Sequence, residues 1–276
     1  MLVRVLVQLV VVVTLLTLVS IAVFVGRYRL RDTRLEWRTR VRAAVPVTAL
    51  LAIVLLFNSV ARQVVPELSW MIGWNVTWAI YDLEGQFILW LQEQATPAVT
   101  AYFSFIYIYA YVFMLVFPVI AYFALSNTRP LRELLTAYTL NYTVGLILYV
   151  FVIAYGPRNM MPELVDALLY DTYPRYQHLT RQVNRNTNVF PSLHTSLAAT
   201  VTFLAYRTRD VYPRWFLVAT ILGVSVAIST MYLGIHWVID VLAGIVLAYV
   251  SVALAAHLVG RWSVGEWIDG RLSSVR

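Results

Sequence analysis

Seven apolar stretches, at about 5–25, 44–61, 98–125, 134–156, 192–206, 214–233 and 237–259, constrain this chain more than any other feature. A helix needs roughly 20 apolar residues to cross about 30 Å of hydrocarbon. Within that layer every backbone N–H and C=O must find a partner in the protein, and an α-helix supplies those partners locally. The sequence therefore predicts an all-α fold, a polytopic transmembrane helix bundle. Composition agrees: 61% of residues are hydrophobic and 13% are charged, a balance foreign to a water-exposed domain. The stretch 192–206 is short and has polar neighbours, so it is expected to begin in a protein-lined cavity rather than in lipid.

Charge sets the expected orientation. All 21 basic residues are Arg, and seven of them (Arg27, Arg29, Arg31, Arg34, Arg38, Arg40 and Arg42) crowd the segment between the first two apolar stretches. Positive loops stay cytoplasmic. Alternation from that loop puts Arg129 and Arg132, then Arg207, Arg209 and Arg214, then the tail with Arg261, Arg271 and Arg276 on the same side. The N-terminus is then outside and the C-terminus cytoplasmic. The charge of the first stretch lies mainly after its apolar run and no A-x-A site follows, so it is expected to be a retained anchor, not a cleaved signal. Arginines confined to short loops argue topology and against a nucleic-acid partner. With no cysteine, disulfides and thiolate chemistry are excluded. The expected organisation is an anchor with an Arg-rich cytoplasmic loop over 1–43, a six-helix core over 44–260 and a cytoplasmic tail over 261–276.

Two segments on the outer side are not spans. Between Glu67 and Gln94, Trp70, Trp74 and Trp78 recur every four residues and Trp90 follows, which reads as an amphipathic stretch at headgroup level. The segment 157–189 is polar and rich in Arg, Asn and Tyr. It leads straight into Phe190-Pro191-Ser192 and is expected to form part of a site.

The chemistry lies in two places. Pro191-Ser192-Leu193-His194 opens the fifth stretch, and Ser229-Thr230-Met231-Tyr232-Leu233-Gly234-Ile235-His236-Trp237-Val238-Ile239-Asp240 joins the sixth to the seventh. Ionisable groups at membrane depth are costly and mark function. His236 and Asp240 are four residues apart, so on a helix the carboxylate can hold one ring nitrogen and raise the basicity of the other. His236 then suits a nucleophile or base, with Asp240 orienting it and His194 as a second acid/base group. No matching sequence pattern accompanies His178 or His257, and both read as structural.

These residues resemble the PAP2 superfamily of type 2 phosphatidic acid phosphatases, which includes the inositol phosphorylceramide synthases. Pro191, Ser192 and His194 fit its P-S-x-H motif. Ser229, Gly234, His236 and Asp240 fit its S-R-x-x-x-G-x-H-x-x-x-D motif. Thr230 stands where the latter has Arg, and no K-x6-R-P motif is present; Tyr155-Gly156-Pro157-Arg158 occupies the place where it would end. The wording is closer to the inositol phosphorylceramide synthase branch. The resemblance implies a six-helix PAP2-type core plus one extra N-terminal transmembrane helix. It also implies a phosphohistidine on His236 oriented by Asp240, with His194 protonating the leaving oxygen and activating the acceptor. Ser192 and neighbouring N–H groups would hold phosphate oxygens, with Arg158 first and Arg185 second as compensating cations. No metal or cofactor is implied.

The resulting expectation is an enzyme acting on a lipid phosphate at the extracytoplasmic face: a phosphatase if water is the acceptor, a lipid phosphotransferase if an alcohol is. A lipid-phosphate carrier without turnover is the third possibility. Nothing in the chain speaks to oligomeric state.

Overall fold

The computed structural model describes residues 2–177 and 189–260. His178, Arg181, Arg185 and the tail 261–276 lie outside the described residues. The chain is helical almost throughout, and among the described residues the sole sheet is a two-residue parallel pair.

Helix α1 (Leu2–Ser20) continues through a π turn (Ile21–Val25) into α2 (Gly26–Ile72). The expected loop from Arg27 to Arg42 is thus helix, and a single helical run covers Leu2–Ile72 where two spans and a loop were read. The run is not straight. Gly26 has φ 77° and ψ 160°, outside helical space and accessible to glycine because it lacks a Cβ. The chain turns there and folds onto the bundle. Phe24 meets Phe117 at 5.7 Å and Trp215 at 6.0 Å between ring centroids. The Arg29 guanidinium lies over the Tyr212 ring at 4.6 Å. Arg40, 1% exposed, is held by Glu36, Thr33, Ser126 and the Phe123 carbonyl. Between Arg27 and Arg42 there is no Gly or Pro to break the helix; Arg29 and Arg40 dock onto neighbouring helix ends while Arg27, Arg31, Arg34, Arg38 and Arg42 stay exposed.

A turn at Gly73 leads to β1 (Trp74–Asn75), α3 (Thr77–Glu93) and α4 (Pro97–Phe105), which passes through a π turn (Ile106–Ala110) into α5 (Tyr111–Phe123). Trp70, Trp74 and Trp78 fall on α2, β1 and α3 in turn, so their four-residue spacing is not one helix face. The amphipathic segment is α3, with Ile80 and Ile88 buried and Trp78, Leu83 and Trp90 exposed.

Helix α6 (Arg129–Phe151) runs parallel to α2. Asn58 Nδ2 donates to the Tyr142 carbonyl (3.3 Å) and Ser69 Oγ to that of Tyr149 (2.7 Å). The pairing ends in β2 (Val152–Ile153) beside β1. Short turns α7 (Pro157–Met160) and α8 (Leu168–Thr172) precede α9 (Leu193–Arg207), α10 (Pro213–Tyr232) and α11 (Val238–Leu258). Among the described residues, five helical runs, Leu2–Ile72, Pro97–Phe123, Arg129–Phe151, Pro213–Tyr232 and Val238–Leu258, are long and apolar enough to cross a membrane. At 15 residues, α9 is shorter. On α11, Leu242, Val246, Tyr249 and Val250 are exposed while Val241, Leu247, Ala248 and Ala255 are buried. An apolar outward face of that kind belongs against lipid. The protein is an integral membrane protein.

The two ends of the bundle differ. At one, Glu133 is buried and pairs with Arg129 (2.7 Å) and Arg207 (3.2 Å), and Arg129 also reaches the Ala256 carbonyl. At the other, the starts of α9 and α11 meet: Ser192 N donates to the Asp240 carbonyl (3.0 Å). Gly244 makes this approach possible, because a Cβ there would stand 2.6 Å from the Ser192 carbonyl oxygen.

Candidate active site

The site is assembled by the way α10 ends and α11 begins. The Ile235 N–H returns to the Thr230 carbonyl and the Gly234 N–H to that of Met231. This double closure is the Schellman motif and requires a left-handed residue after the cap. Gly234 supplies it with φ 67°. A Cβ at Gly234 would also lie 2.7 Å from Val165 Cγ1. Gly234→Ala is expected to destabilise the protein by about 1–2 kcal/mol and to displace His236, read as a lower melting temperature in detergent together with lost turnover.

The start of α11 then holds His236. Asp240 Oδ2 accepts the Trp237 N–H (2.9 Å) and lies 3.4 Å from His236 Nδ1. One carboxylate therefore both caps the helix and faces the imidazole. Glu84, from α3, accepts the next two N–H groups, those of Val238 (2.6 Å) and Ile239 (3.0 Å). Two acids at a helix N-terminus are favoured by its partial positive charge. Burial pushes the Glu84 carboxyl up, the two backbone bonds oppose this, and the Asp240 charge adds to it. Helix α3 grips the site at a second point, where Gln92 bonds the Tyr232 carbonyl and both the N–H and the carbonyl of Asp166.

His236 is 5% exposed and Asp240 fully buried. Burial lowers the His236 pKa to about 3; a backbone hydrogen bond at Val189 works against the shift and the Arg158 charge works with it. The imidazole is consequently neutral at neutral pH, with Nδ1 toward Asp240. A folded-state pKa below the unfolded value near 6.5 contributes stability above pH 6.5 that is lost as pH falls toward 3. The melting temperature is expected to drop across that window, and by less in His236→Asn.

His194, in the first turn of α9, has its ring centroid 6.3 Å from that of His236. Two aromatic rings hold it: Tyr107 stacks at 4.8 Å and Tyr111 sits at 4.6 Å. Tyr107 lies in the π turn Ile106–Ala110 and Tyr111 directly follows it. An extra residue in a helical turn shifts the faces that precede and follow it.

Arg158 reaches the same place. Its N–H donates to the Gly234 carbonyl (3.0 Å), and its guanidinium lies over the Tyr170 ring at 4.7 Å with Nη2 on the Tyr170 hydroxyl. Its Nη1 is buried with no partner among the described residues. Ser192 is the N-cap of α9: its Oγ accepts the Thr195 N–H (3.3 Å) and donates to Thr195 Oγ1 (3.0 Å). That hydroxyl is engaged in the helix and turned away from solvent. Thr230 is equally engaged, its hydroxyl on the Ala227 carbonyl and its own carbonyl accepting the N–H groups of Ile235 and His236.

The structure thus brings His194, His236, Asp240, Ser192 and Arg158 to one end of the bundle. Sequence reasoning did not find Glu84, Tyr107 or Tyr111. The tyrosines had a signal, since Tyr107, Tyr109 and Tyr111 alternate inside an apolar stretch. Glu84 had none, because its partners lie 154 and 155 residues away. Among the described residues no cluster of three or more His, Asp or Glu is placed to hold a metal ion.

A family model described as the PAP2 superfamily matches residues 79–254, from α3 to α11. No curated protein and no solved structure matches the chain.

Proposed function

The chain belongs to the PAP2 superfamily, and from that premise we propose that it is a membrane lipid-phosphate phosphatase that works through a phosphohistidine on His236. Membership places it among phosphatases and phosphotransferases. His236 Nε2 attacks phosphorus and the bond from phosphorus to the lipid oxygen breaks. His194, protonated beside the phosphate, gives its proton to that oxygen. Water then attacks the phosphohistidine, His194 takes the proton, and inorganic phosphate leaves with both histidines restored. Asp240 keeps Nδ1–H in place and stabilises the charge that the ring acquires. Arg158 compensates the charge on the phosphoryl oxygens. The chemistry needs no metal.

One observation carries this reading: the 6.3 Å between the two rings. At that separation both imidazoles can face one phosphate group, His236 toward phosphorus and His194 toward the leaving oxygen. A carrier would gain nothing from an acid-oriented imidazole facing a second imidazole. The test is purified protein in detergent incubated with phosphatidate and polyprenyl diphosphates, following free phosphate and acid-labile, base-stable label on the protein. Phosphate release with label that vanishes in His236→Ala is expected. Release without His236, or no release from any lipid phosphate, overturns the proposal.

A second reading, transfer to an alcohol, is favoured by the aromatic walls Tyr107 and Tyr111 around the group that activates the acceptor, since such walls restrict water. Lipid phosphodiester formed when an alcohol acceptor is supplied would establish it. For orientation, we read seven spans, with Gly26 separating the first two and α9 as a short fifth, and the site on the extracytoplasmic side. The support is that Arg29, Arg40, Arg129 and Arg207 gather at the bundle end opposite the histidines. The chain has no cysteine, so single cysteines introduced near Arg34 and near Asn159 report sidedness directly. Labelling of the first from outside intact cells would reverse the orientation.

A further inference from the structure

We propose that Arg62 on α2, outside the residues matched by the family model, is a phosphate-binding cation of this site. The inference rests on the reading that the site takes a phosphate group.

A phosphoryl group in transfer carries two or more negative charges, and a site shielded from water must balance them with donors fixed in place. Arg158 is one such donor. The position between Ser229 and Met231 offers no other, because the Thr230 hydroxyl and carbonyl are both used within the α10 cap. Ser192 Oγ is used in capping α9. The N–H groups of Trp237, Val238 and Ile239 at the start of α11 are taken by Asp240 and Glu84. Compensation must come from another element.

Helix α2 is placed to supply it. Asn58, Val65 and Ser69 are 4%, 6% and 1% exposed and lie four residues before, three after and seven after Arg62. Arg62 therefore shares the face turned to the bundle. Asn58 and Ser69 anchor that face to the Tyr142 and Tyr149 carbonyls. Val65 packs in one cluster with Tyr149 and Leu193, the residue before His194. Arg62 is half-buried, unlike its neighbours Gln63 and Val64, which are exposed. Its charge acts on His194 as well as on Tyr111, Tyr142 and Tyr149. With Arg158 acting on His236, each histidine has an arginine of its own, and the two cations approach the gap from different elements. A cation that served only as an interfacial anchor would point outward along α2 instead.

The test uses the full-length protein in detergent, with inorganic phosphate and orthovanadate as probes and phosphatidate as substrate. Wild type is expected to bind both anions, seen as a rise in melting temperature. Arg62→Gln should weaken anion binding by about 10- to 100-fold, the worth of a hydrogen bond to a charged group. It should lower kcat/KM for phosphatidate similarly and leave the melting temperature without anion within about 2 °C. Arg62→Lys keeps the charge but loses the two-pronged donor, and should weaken binding by roughly 3- to 10-fold; it stands in if the Gln variant does not fold. Anion affinity within twofold of wild type in the variant that folds, or a wild type that binds neither anion, overturns the inference. Anion binding that depends on Arg62 in a protein that hydrolyses no lipid phosphate sinks the phosphatase reading and leaves the inference standing.

Discussion

His236→Asn is expected to reduce turnover of any lipid phosphate by at least about 10⁴-fold while leaving the protein folded. Removal of a covalent nucleophile from a site that retains its other groups has consequences of that order. Asn preserves the volume near Nδ1 and can still hydrogen-bond Asp240, so the start of α11 keeps its cap through Trp237 N–H and Asp240 Oδ2. The measurement is single-turnover release of phosphate with the melting temperature as control. Residual activity within about 100-fold of wild type would mean that His236 does not carry the phosphoryl group. His194→Asn, by contrast, should leave label trapped on the protein, with both formation and loss of the phosphohistidine slowed.

Asp240→Asn should lower kcat by about 10³- to 10⁴-fold with little change in KM, as expected when an orienting carboxylate is neutralised without losing its shape. The geometry separates two roles in one side chain. Asp240 Oδ2 caps α11 through Trp237 N–H at 2.9 Å and faces His236 Nδ1 at 3.4 Å. The asparagine oxygen can keep the cap, so stability should fall by less than about 1 kcal/mol. Asp240→Ala loses cap and partner together and should cost about 1–2 kcal/mol more. Equal loss of stability in both variants, or a large rise in KM with kcat preserved, would show that the carboxylate shapes the pocket and does not govern the imidazole.

The parts of this arrangement that were legible in the sequence share one property: they are local. The four-residue step from His236 to Asp240 predicts one helical face; in the structure His236 stands just ahead of α11 and Asp240 in its first turn, and the two groups still face each other at 3.4 Å. Gly234 after the apolar run of α10 marks a helix end by its conformational freedom. The apolar stretches require helices because a lipid environment leaves the backbone no other partners. The family motifs are legible for the same reason, each being a short segment that positions its own residues.

What escaped the sequence depends on contacts between distant segments. The Arg27–Arg42 segment looks like a loop by charge, but Arg40 finds Glu36 four residues away and the end of α5 eighty-odd residues on, which lets its helix persist. The Trp70, Trp74 and Trp78 spacing mimics one helix face, yet a turn and a strand intervene, fixed by pairing with Val152 and Ile153. Tyr107 and Tyr111 come to flank His194 only after a π turn, a register change without a sequence period of its own.

By itself, then, the sequence determined a membrane-embedded helical protein and the pairing of His236 with Asp240, because hydrophobic length and helical spacing act within a single segment. Only the tertiary structure decided that the His194 ring lies 6.3 Å from that of His236, that Glu84 caps the start of α11, and that the inner face of α2 packs beside the residue preceding His194. Those relations exist because α2, α3, α5, α9 and α11 pack against one another, and no single segment encodes where another will lie.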